Sequence, residues 1–212
     1  MKMMFKDRVE AGELLASRVE KYKDKKAIVI AIPRGGVPLG YIIAQKLNLP
    51  LEVVLSKKIG HPTNKEYAIG AVTLKNMILS DAALNISKNY IEDEAKKIRA
   101  ILAERYKDYY GKKTPLQLKD KIIIVVDDGI ATGNTVLSTL EMLQEEKPKK
   151  IVIAIPVASQ SALQKLQKTA FIDDIVCLLS PVNFHAVGQY YENFDQVDDL
   201  EVKTLLNKTN IN

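Results

Sequence analysis

The chain has 212 residues, a formal net charge of +5 and one cysteine. This length suits a single domain with a substantial core. The longest apolar runs, "AIVIAI" and "IIIVV", are far too short to span a bilayer, so we expect no membrane partner. Cys177 has no partner for a disulfide within the chain, and acids near the N-terminus argue against a signal peptide. These features favour a cytoplasmic protein.

The positive charge gives little support to a nucleic-acid partner. Lysines are scattered along the predicted helices with acids between them, as on solvated helix faces. The sequence has no basic helix with interleaved aromatics and no helix-turn-helix pattern. A modest positive excess suits an anionic small molecule, so we expect that kind of ligand and no nucleic acid.

The first predicted elements form a βαβ unit. An amphipathic helix is predicted from Asp7 to Tyr22, followed by a buried strand at 27–32, a helix at 37–48 and a strand at 51–56. Residues 57–86 contain short β-like pieces between polar loops and are predicted as an excursion beyond the main sheet. A long helix is then predicted at 87–110.

After Pro115 strands and helices alternate regularly. The predicted elements are a strand at 122–126, a helix at 134–146, a strand at 151–155, a helix at 159–168 and a strand at 175–179. Residues 180–212 show little periodicity apart from a short helix near 199–207, and are predicted to cap one end of the sheet as a hood.

Five apolar strands alternating with helices predict an α/β fold: a five-stranded, mostly parallel sheet with helices on both faces. We expect one domain over 1–212, with a core at 23–179, an excursion at 57–115 and the hood at 180–212. Ligands of such sheets bind outside the carboxyl ends of the strands. The segments predicted at those ends are 33–36, 56–58, 127–129, 156–158 and 180–181.

The segment "VVDDGIATGNT" joins two acids to a loop suited to an anion. It lacks the lysine of a P-loop, and no Gly-x-Gly-x-x-Gly follows a strand. Backbone amides around Ala131–Thr135, with the Thr132 and Thr135 hydroxyls, would face a phosphate at a helix N-terminus. Asp127 and Asp128 would repel that phosphate but can accept hydrogen bonds from vicinal hydroxyls. A sugar phosphate satisfies both halves.

Four stretches of the chain resemble a known family. "VVDDGIATGNT" resembles the phosphoribosyl diphosphate (PRPP) motif of type I phosphoribosyltransferases, and "IPRGGVPLG" is similar to the family's pyrophosphate loop. "KKIGHPTNKEYAIGAV" and "FHAVGQYYENFDQVDDLEV" resemble a subgroup of predicted phosphoribosyltransferases that has no agreed acceptor. The resemblance covers most of the chain and implies the type I phosphoribosyltransferase fold.

The resemblance also implies roles for individual residues. Asp127 and Asp128 would hold the ribose hydroxyls, and Arg34 with the Gly35 and Gly36 amides would hold pyrophosphate. Mg²⁺ would be held mainly through PRPP, with the two aspartates as the candidate protein ligands. Residues assigned to catalysis are Arg34, Lys57, Asp127 and Asp128. Residues assigned to PRPP are Arg34, Gly35, Gly36, Lys58, Asp127, Asp128, Gly129, Ile130, Ala131, Thr132, Gly133, Asn134 and Thr135.

Simpler interpretations exist for several of these residues. The two aspartates could be a helix cap and a surface acid, and Arg34 a surface arginine in a turn. Lys57, Lys58 and His61 are predicted in a mobile loop that closes over the diphosphate, with a solvated basic loop as the alternative. Glu66 belongs to the subgroup pattern, with no physical role that the sequence supplies.

The hood is predicted to bind the acceptor through Phe184, His185, Val187 and Tyr190, and its aromatics, with Tyr191 and Phe194, suit a flat base. Alternatively these aromatics only pack the hood onto the sheet, and His185 covers an aromatic surface. Family members that act on 6-oxopurines usually carry an aspartate at the position of Ala131. Its absence puts hypoxanthine and guanine in doubt as acceptors.

Two functions follow from the resemblance. The first is Mg²⁺-dependent transfer of the 5-phosphoribosyl group from PRPP to a nitrogenous base, with release of pyrophosphate. The second is a regulatory protein that binds PRPP without transfer. Relatives are often dimers, so a homodimer is one assembly that the resemblance implies.

Overall fold

The computed structural model describes residues 4–209, so the ends of the predicted spans 1–212 and 180–212 lie outside the described residues. The chain forms a five-stranded parallel sheet with helices on both faces, and a separate three-stranded sheet. The predicted α/β fold class is confirmed. None of the helices in the described part is long and apolar enough to cross a membrane.

The central sheet has the strand order β2-β1-β6-β7-β8, and every neighbouring pair is parallel. Its strands are β1 (Ala27–Ala31), β2 (Leu51–Val53), β6 (Ile122–Val126), β7 (Lys150–Val157) and β8 (Asp174–Leu179). From β1 the chain proceeds outward to β2 on one side, whereas β6, β7 and β8 lie on the other. The order therefore reverses between β1 and β6, and the crevice at a reversal of this kind is where open α/β sheets bind ligands.

In the described part of the chain, six α-helices cover the two faces. They are α1 (Arg8–Arg18), α2 (Gly36–Leu47), α3 (Lys88–Tyr110), α4 (Asn134–Gln144), α5 (Gln160–Gln167) and α6 (Asp199–Thr209). Successive strand residues point to opposite faces. Val29 therefore lies in the core under α1, α2, α3 and α6, while its neighbours Ile28 and Ile30 lie in a second core under α4 and α5.

Helix α1 begins where the sequence predicts and ends earlier. The Asp7 carboxylate caps it by accepting from the amides of Val9 and Glu10. The helix stops at Arg18, and the predicted last turn is instead a short 3₁₀ segment, Glu20–Tyr22. The single helix predicted from Asp7 to Tyr22 is therefore two helices in the structure. The sequence did not show the division, because buried residues continue at helical spacing from one to the other.

The predicted excursion is an antiparallel sheet of β3 (Ser56–His61), β4 (Asn64–Thr73) and β5 (Met77–Leu79), in that order. Two boundaries differ from prediction. The second core strand ends at Val53 rather than Ser56, and Lys57, Lys58 and His61 lie in β3 rather than in a loop. An antiparallel sheet can expose one face to water, so the polar residues of β3 resembled a loop in the sequence.

A buried acid, Glu52, ties β2 to α3 and to the segment before β6. Its side chain is 6% exposed. One carboxylate oxygen accepts from the Leu116 amide at 3.0 Å and from the Tyr106 hydroxyl at 3.3 Å, and the other from the Val53 amide at 3.2 Å. Burial raises the pKa of Glu52 above its ordinary value of 4.5, although these hydrogen bonds oppose the shift.

This shift predicts a pH-dependent cost of folding. Above pH 4.5 the unfolded state releases the Glu52 proton first, so the free energy of unfolding should fall as pH rises, until the folded state also ionises. Relative to Glu52→Gln, the wild type should lose at most about 1.4 kcal/mol per pH unit in that window. Urea titrations from pH 4 upward measure the difference, with Glu104→Gln on α3 as the exposed control. A wild-type advantage that grows with pH would contradict the assignment.

Candidate functional site

The site begins where two loops meet at the switch point of the sheet. One follows β1 and contains Pro33 to Gly36, and the other follows β6 and contains the two aspartates. The Ile32 amide donates to the Val126 carbonyl at 2.9 Å, and the Gly36 amide donates to the Ile32 carbonyl at 3.0 Å. The peptide between Pro33 and Arg34 is cis. Backbone hydrogen bonds thus join the first loop to the end of the acid-bearing strand.

Gly35 and Gly36 allow this contact because they have no side chain. A Cβ on Gly35 would lie 1.9 Å from an oxygen of the Asp128 carboxylate. A Cβ on Gly36 would lie 2.6 Å from the Val126 carbonyl oxygen. Both distances are far below van der Waals contact, so a side chain at position 35 would displace the Asp128 carboxylate and one at position 36 would push the two loops apart.

We therefore expect Gly35→Ala to displace the Asp128 carboxylate. Binding of ribose 5-phosphate, measured by calorimetry, should weaken at least about tenfold, since a charge-assisted hydrogen bond contributes about 1.5–3 kcal/mol. Gly40→Ala in the helix that follows is the matched control, because its Cβ would meet side-chain atoms of Ala31 and Leu51 at 3.1 Å and of Val29 at 3.7 Å, and none of the site. Equal affinity of the two variants would contradict the steric argument.

The two aspartates each have one carboxylate oxygen engaged and one free. Oδ1 of Asp127 accepts from the Asp128 amide at 2.9 Å. Oδ2 of Asp128 accepts from Nε and Nη2 of Arg8 at 3.0 and 2.8 Å. Within residues 4–209, the remaining oxygen of each accepts no hydrogen bond from another residue. The pair therefore offers two neighbouring acceptors to a ligand.

Electrostatics make this pair costly to ionise fully. Burial and then the neighbouring Asp128 charge raise the pKa of Asp127 well above its ordinary value. Burial also raises the pKa of Asp128, and the Arg8 guanidinium opposes that shift. Hydroxyl donors or a cation at the free oxygens would offset part of this cost.

The loop after the acids presents a row of unused amides. Within the described part of the chain, none of the backbone amides from Ala131 to Thr135 donates a hydrogen bond. Gly133 adopts a left-handed conformation, with φ of 79°, immediately before α4, and the flanking Thr132 and Thr135 are exposed. Amides at a helix N-terminus suit an anion such as a phosphate monoester.

Ile130 and Gly129 have structural roles, unlike the exposed residues that follow them in the loop. The Ile130 side chain is buried, its amide donates to Val157 and its carbonyl accepts from Ser159. It anchors the loop and, contrary to the PRPP-binding set, presents nothing to a ligand. A Cβ on Gly129 would lie 2.5 Å from the Val187 side chain, so Gly129 lets the hood rest on the loop.

The hood covers an open cavity of about 600 Å³ beside Asp128. Only Val187 of the four predicted acceptor residues lines it. The rings of Phe184 and Tyr190 stack on each other at 5.6 Å, Tyr190 is buried, and its hydroxyl donates to the Asn183 carbonyl. His185 is exposed outside the lining. The packing alternative thus describes Phe184 and Tyr190. The lining residues are Arg8, Arg34, Gly35, Asp128, Val187 and Phe194–Val197.

The two predicted lysines share a second cavity with the anion loop. Lys57 and Lys58 are exposed on β3 and line a groove of about 960 Å³ together with Asn134 and Thr135. Glu66 lines the same groove. His61 instead bonds within its own hairpin, where a ring nitrogen lies 2.9 Å from the Thr63 hydroxyl. The lysines therefore lie near the start of α4, and His61 has a local structural contact.

Three further residues at the site were not predicted from the sequence. Arg8 pairs with Asp128, Lys165 donates to the Thr132 carbonyl and the Asn134 side chain, and Asp199 lies 4.0 Å from Arg34. The Tyr109 hydroxyl donates to Asp199, and this bond lowers the pKa of that acid. No local motif marks these residues, since each reaches the site from a distant segment.

The acids fit a hard cation only in part. The described residues contain no cluster of three or more histidine, cysteine or acidic side chains arranged for a metal. The free oxygens of Asp127 and Asp128 are donors of the type that Mg²⁺ prefers, and Mg²⁺ commonly takes one or two carboxylates plus substrate phosphates. The residues thus suit a Mg²⁺ held mainly by its ligand.

Comparison with known proteins places this geometry in context. The family model "phosphoribosyl transferase domain" matches residues 6–193. A Mycobacterium tuberculosis protein, provisionally named a phosphoribosyl transferase, is 32% identical over 97% of the chain, and the chain spans 47% of that relative. The structure of TT1426 from Thermus thermophilus superposes with a TM-score of 0.84 at 36% identity, covering 97% of this chain and 99% of that one. A 59-residue stretch is 36% identical to uracil phosphoribosyltransferase of Mycoplasma genitalium, covering 28% of this chain and 29% of the relative.

Proposed function

The chain belongs to the phosphoribosyl transferase domain family, and on that premise we propose that it transfers the 5-phosphoribosyl group from PRPP to a nitrogenous base and releases pyrophosphate. The chain covers about half of its curated relatives, so this activity is proposed for the described domain alone. A homodimer, the cytoplasm and a single domain over 1–212 stay predictions.

One observation carries the proposal: within residues 4–209, two carboxylate oxygens without a protein partner are followed, in the same loop, by five amides without a protein acceptor. The vicinal hydroxyls of ribose match the free oxygens of Asp127 and Asp128. A 5′-phosphate matches the amides from Ala131 to Thr135 and the two threonine hydroxyls. The acids and the phosphate then occupy different parts of one ligand and do not repel each other.

The leaving group would lie over the loop after β1. The Gly35 amide and the Arg34 guanidinium are donors suited to diphosphate oxygens. The Gly36 amide, which the resemblance also assigned to pyrophosphate, already donates to the Ile32 carbonyl at 3.0 Å. Arg34 must then exchange its 4.0 Å contact with Asp199 for the ligand. Lys57 and Lys58 line the groove that they share with Asn134 and Thr135 and supply further positive charge. Displacement at C1 passes through a cation-like sugar, so placement of charge around the leaving diphosphate provides most of the catalysis.

Mg²⁺ fits this site as a cation bound through PRPP oxygens and the free oxygens of Asp127 or Asp128. When bound, it would neutralise part of the diphosphate charge. The chain itself orients the ribose through the two acids and the phosphate through the loop. The base would enter the cavity under the hood, where Val187 and the Phe194 ring offer apolar surface.

The first test is binding of PRPP. Calorimetry in Mg²⁺ should detect PRPP, and Asp127→Asn combined with Asp128→Asn should weaken binding at least about a hundredfold, because two charge-assisted hydrogen bonds are lost. Asp173→Asn, an acid at the far end of the sheet near the start of β8, serves as the matched control. PRPP binding that is absent in the wild type, or unaffected in the double variant, would refute the proposal.

The second test identifies the acceptor. Incubation with PRPP and a panel of bases should release pyrophosphate with at least one of them. Uracil belongs in the panel because of the short match to a uracil phosphoribosyltransferase. Hypoxanthine and guanine should be inactive, since Ala131 is exposed and supplies no acid. Tight PRPP binding with no release from any base would favour the regulatory alternative.

A further inference from the structure

Arg8 makes three separate contacts at the site. Its Nε and Nη2 donate to Asp128, and its Nη1 donates to the Asp195 carbonyl at 2.7 Å. The guanidinium carbon lies 3.9 Å from the centroid of the Phe194 ring. The Arg8 side chain is only 11% exposed. The Arg8 side chain, at the start of α1, therefore contacts Asp128 and two residues of the hood.

The backbone just before Arg8 also binds the hood. The Phe5 amide donates to the Tyr190 carbonyl at 2.8 Å, and the Phe5 carbonyl accepts from the Glu192 amide at 2.8 Å. The Lys6 carbonyl accepts from the Asn193 amide at 2.9 Å. Phe5 is buried with its ring 5.4 Å from that of Tyr191. Segment 5–8 therefore lies along hood residues 190–195 and is joined to them by hydrogen bonds.

The hood reaches Asp128 from its other side. The Tyr191 hydroxyl donates to the Asp128 carbonyl at 2.7 Å. Asp128 is thus held through its backbone by the hood and through its carboxylate by Arg8. Within residues 4–209, Arg8 is the one cation paired with either aspartate. Arginine suits this place because its planar fork can bind a carboxylate and stack on an aromatic ring at once.

We propose that Arg8 is a positioning residue that fixes the free oxygen of Asp128 toward the sugar and fastens the hood to the same acid. Placement of the hood and binding of the sugar hydroxyls are then coupled through one side chain. The inference rests on the proposed function, since the sugar is taken to be the ribose of PRPP. Arg8 acts through Asp128 and need not touch the ligand.

A double-mutant cycle tests the coupling with ribose 5-phosphate as the probe. Arg8→Gln should weaken binding about tenfold, the loss expected for one charge-assisted hydrogen bond. In the Asp128→Asn background the same change should have less than about a twofold effect, because the two residues act as a unit. Arg8→Lys should recover only part of the affinity, since lysine keeps the charge without the fork. Arg18→Gln, exposed at the other end of α1, is the control.

The outcomes separate this inference from the proposed function. If the wild type fails to bind ribose 5-phosphate and PRPP, the proposed function fails. If the wild type binds but Arg8→Gln weakens binding equally with and without Asp128→Asn, Arg8 contacts the ligand directly and the positioning role is wrong. Unchanged affinity in Arg8→Gln would also refute it.

Hydrogen exchange tests the hood half without any ligand. In Arg8→Gln the Glu192 and Asn193 amides should exchange at least about tenfold faster, because the charge-assisted hydrogen bond to the Asp195 carbonyl is lost and a tenfold change corresponds to about 1.4 kcal/mol. Amides of β7 should be unchanged, which shows that the variant is folded. Unchanged exchange at 192 and 193 would refute the link between Arg8 and the hood.

Discussion

The close approach of the β1 and β6 loops is the constraint on which the rest of the site depends. Gly35 and Gly36 leave room for the Asp128 carboxylate and the Val126 carbonyl, and a single Cβ at either position would occupy that room. Parallel strands bring their carboxyl ends to one edge, but only the missing side chains let these two loops touch. Arg34, Gly35 and Asp128 then line one cavity.

Burial of two adjacent acids shapes the surroundings of that contact. A buried carboxylate is stable when it is paired or hydrogen-bonded. Asp128 obtains its cation from α1 and its backbone partner from the hood, so segments from both ends of the chain converge on it. Within residues 4–209, one oxygen of each acid has no hydrogen-bond partner. Part of the free-energy cost of removing the two acids from water therefore remains until a ligand supplies donors.

Local sequence patterns predicted the central sheet and the anion loop, because each depends on contiguous residues. Apolar runs identify buried parallel strands, and five consecutive amides around the start of a helix need no distant partner. The same approach failed for β3, whose exposed lysines resemble a loop until pairing with β4 is known. The prediction that Tyr190 contacts the acceptor also failed, because its ring stacks on Phe184. The sequence pattern of an aromatic residue is the same whether the ring faces a ligand or another side chain.

The sequence by itself determined the fold class and the position of the acids at the end of a buried strand. Tertiary structure decided which side chains complete the site. Arg8 and Asp128 are 120 residues apart, and Asp199 reaches Arg34 from the last described helix. Periodicity and motifs describe near neighbours in the chain, whereas these charge pairs exist only after the sheet, α1 and the hood have packed together. For that reason the sequence could predict a loop suited to an anion, and it could not predict that Arg8 pairs with Asp128.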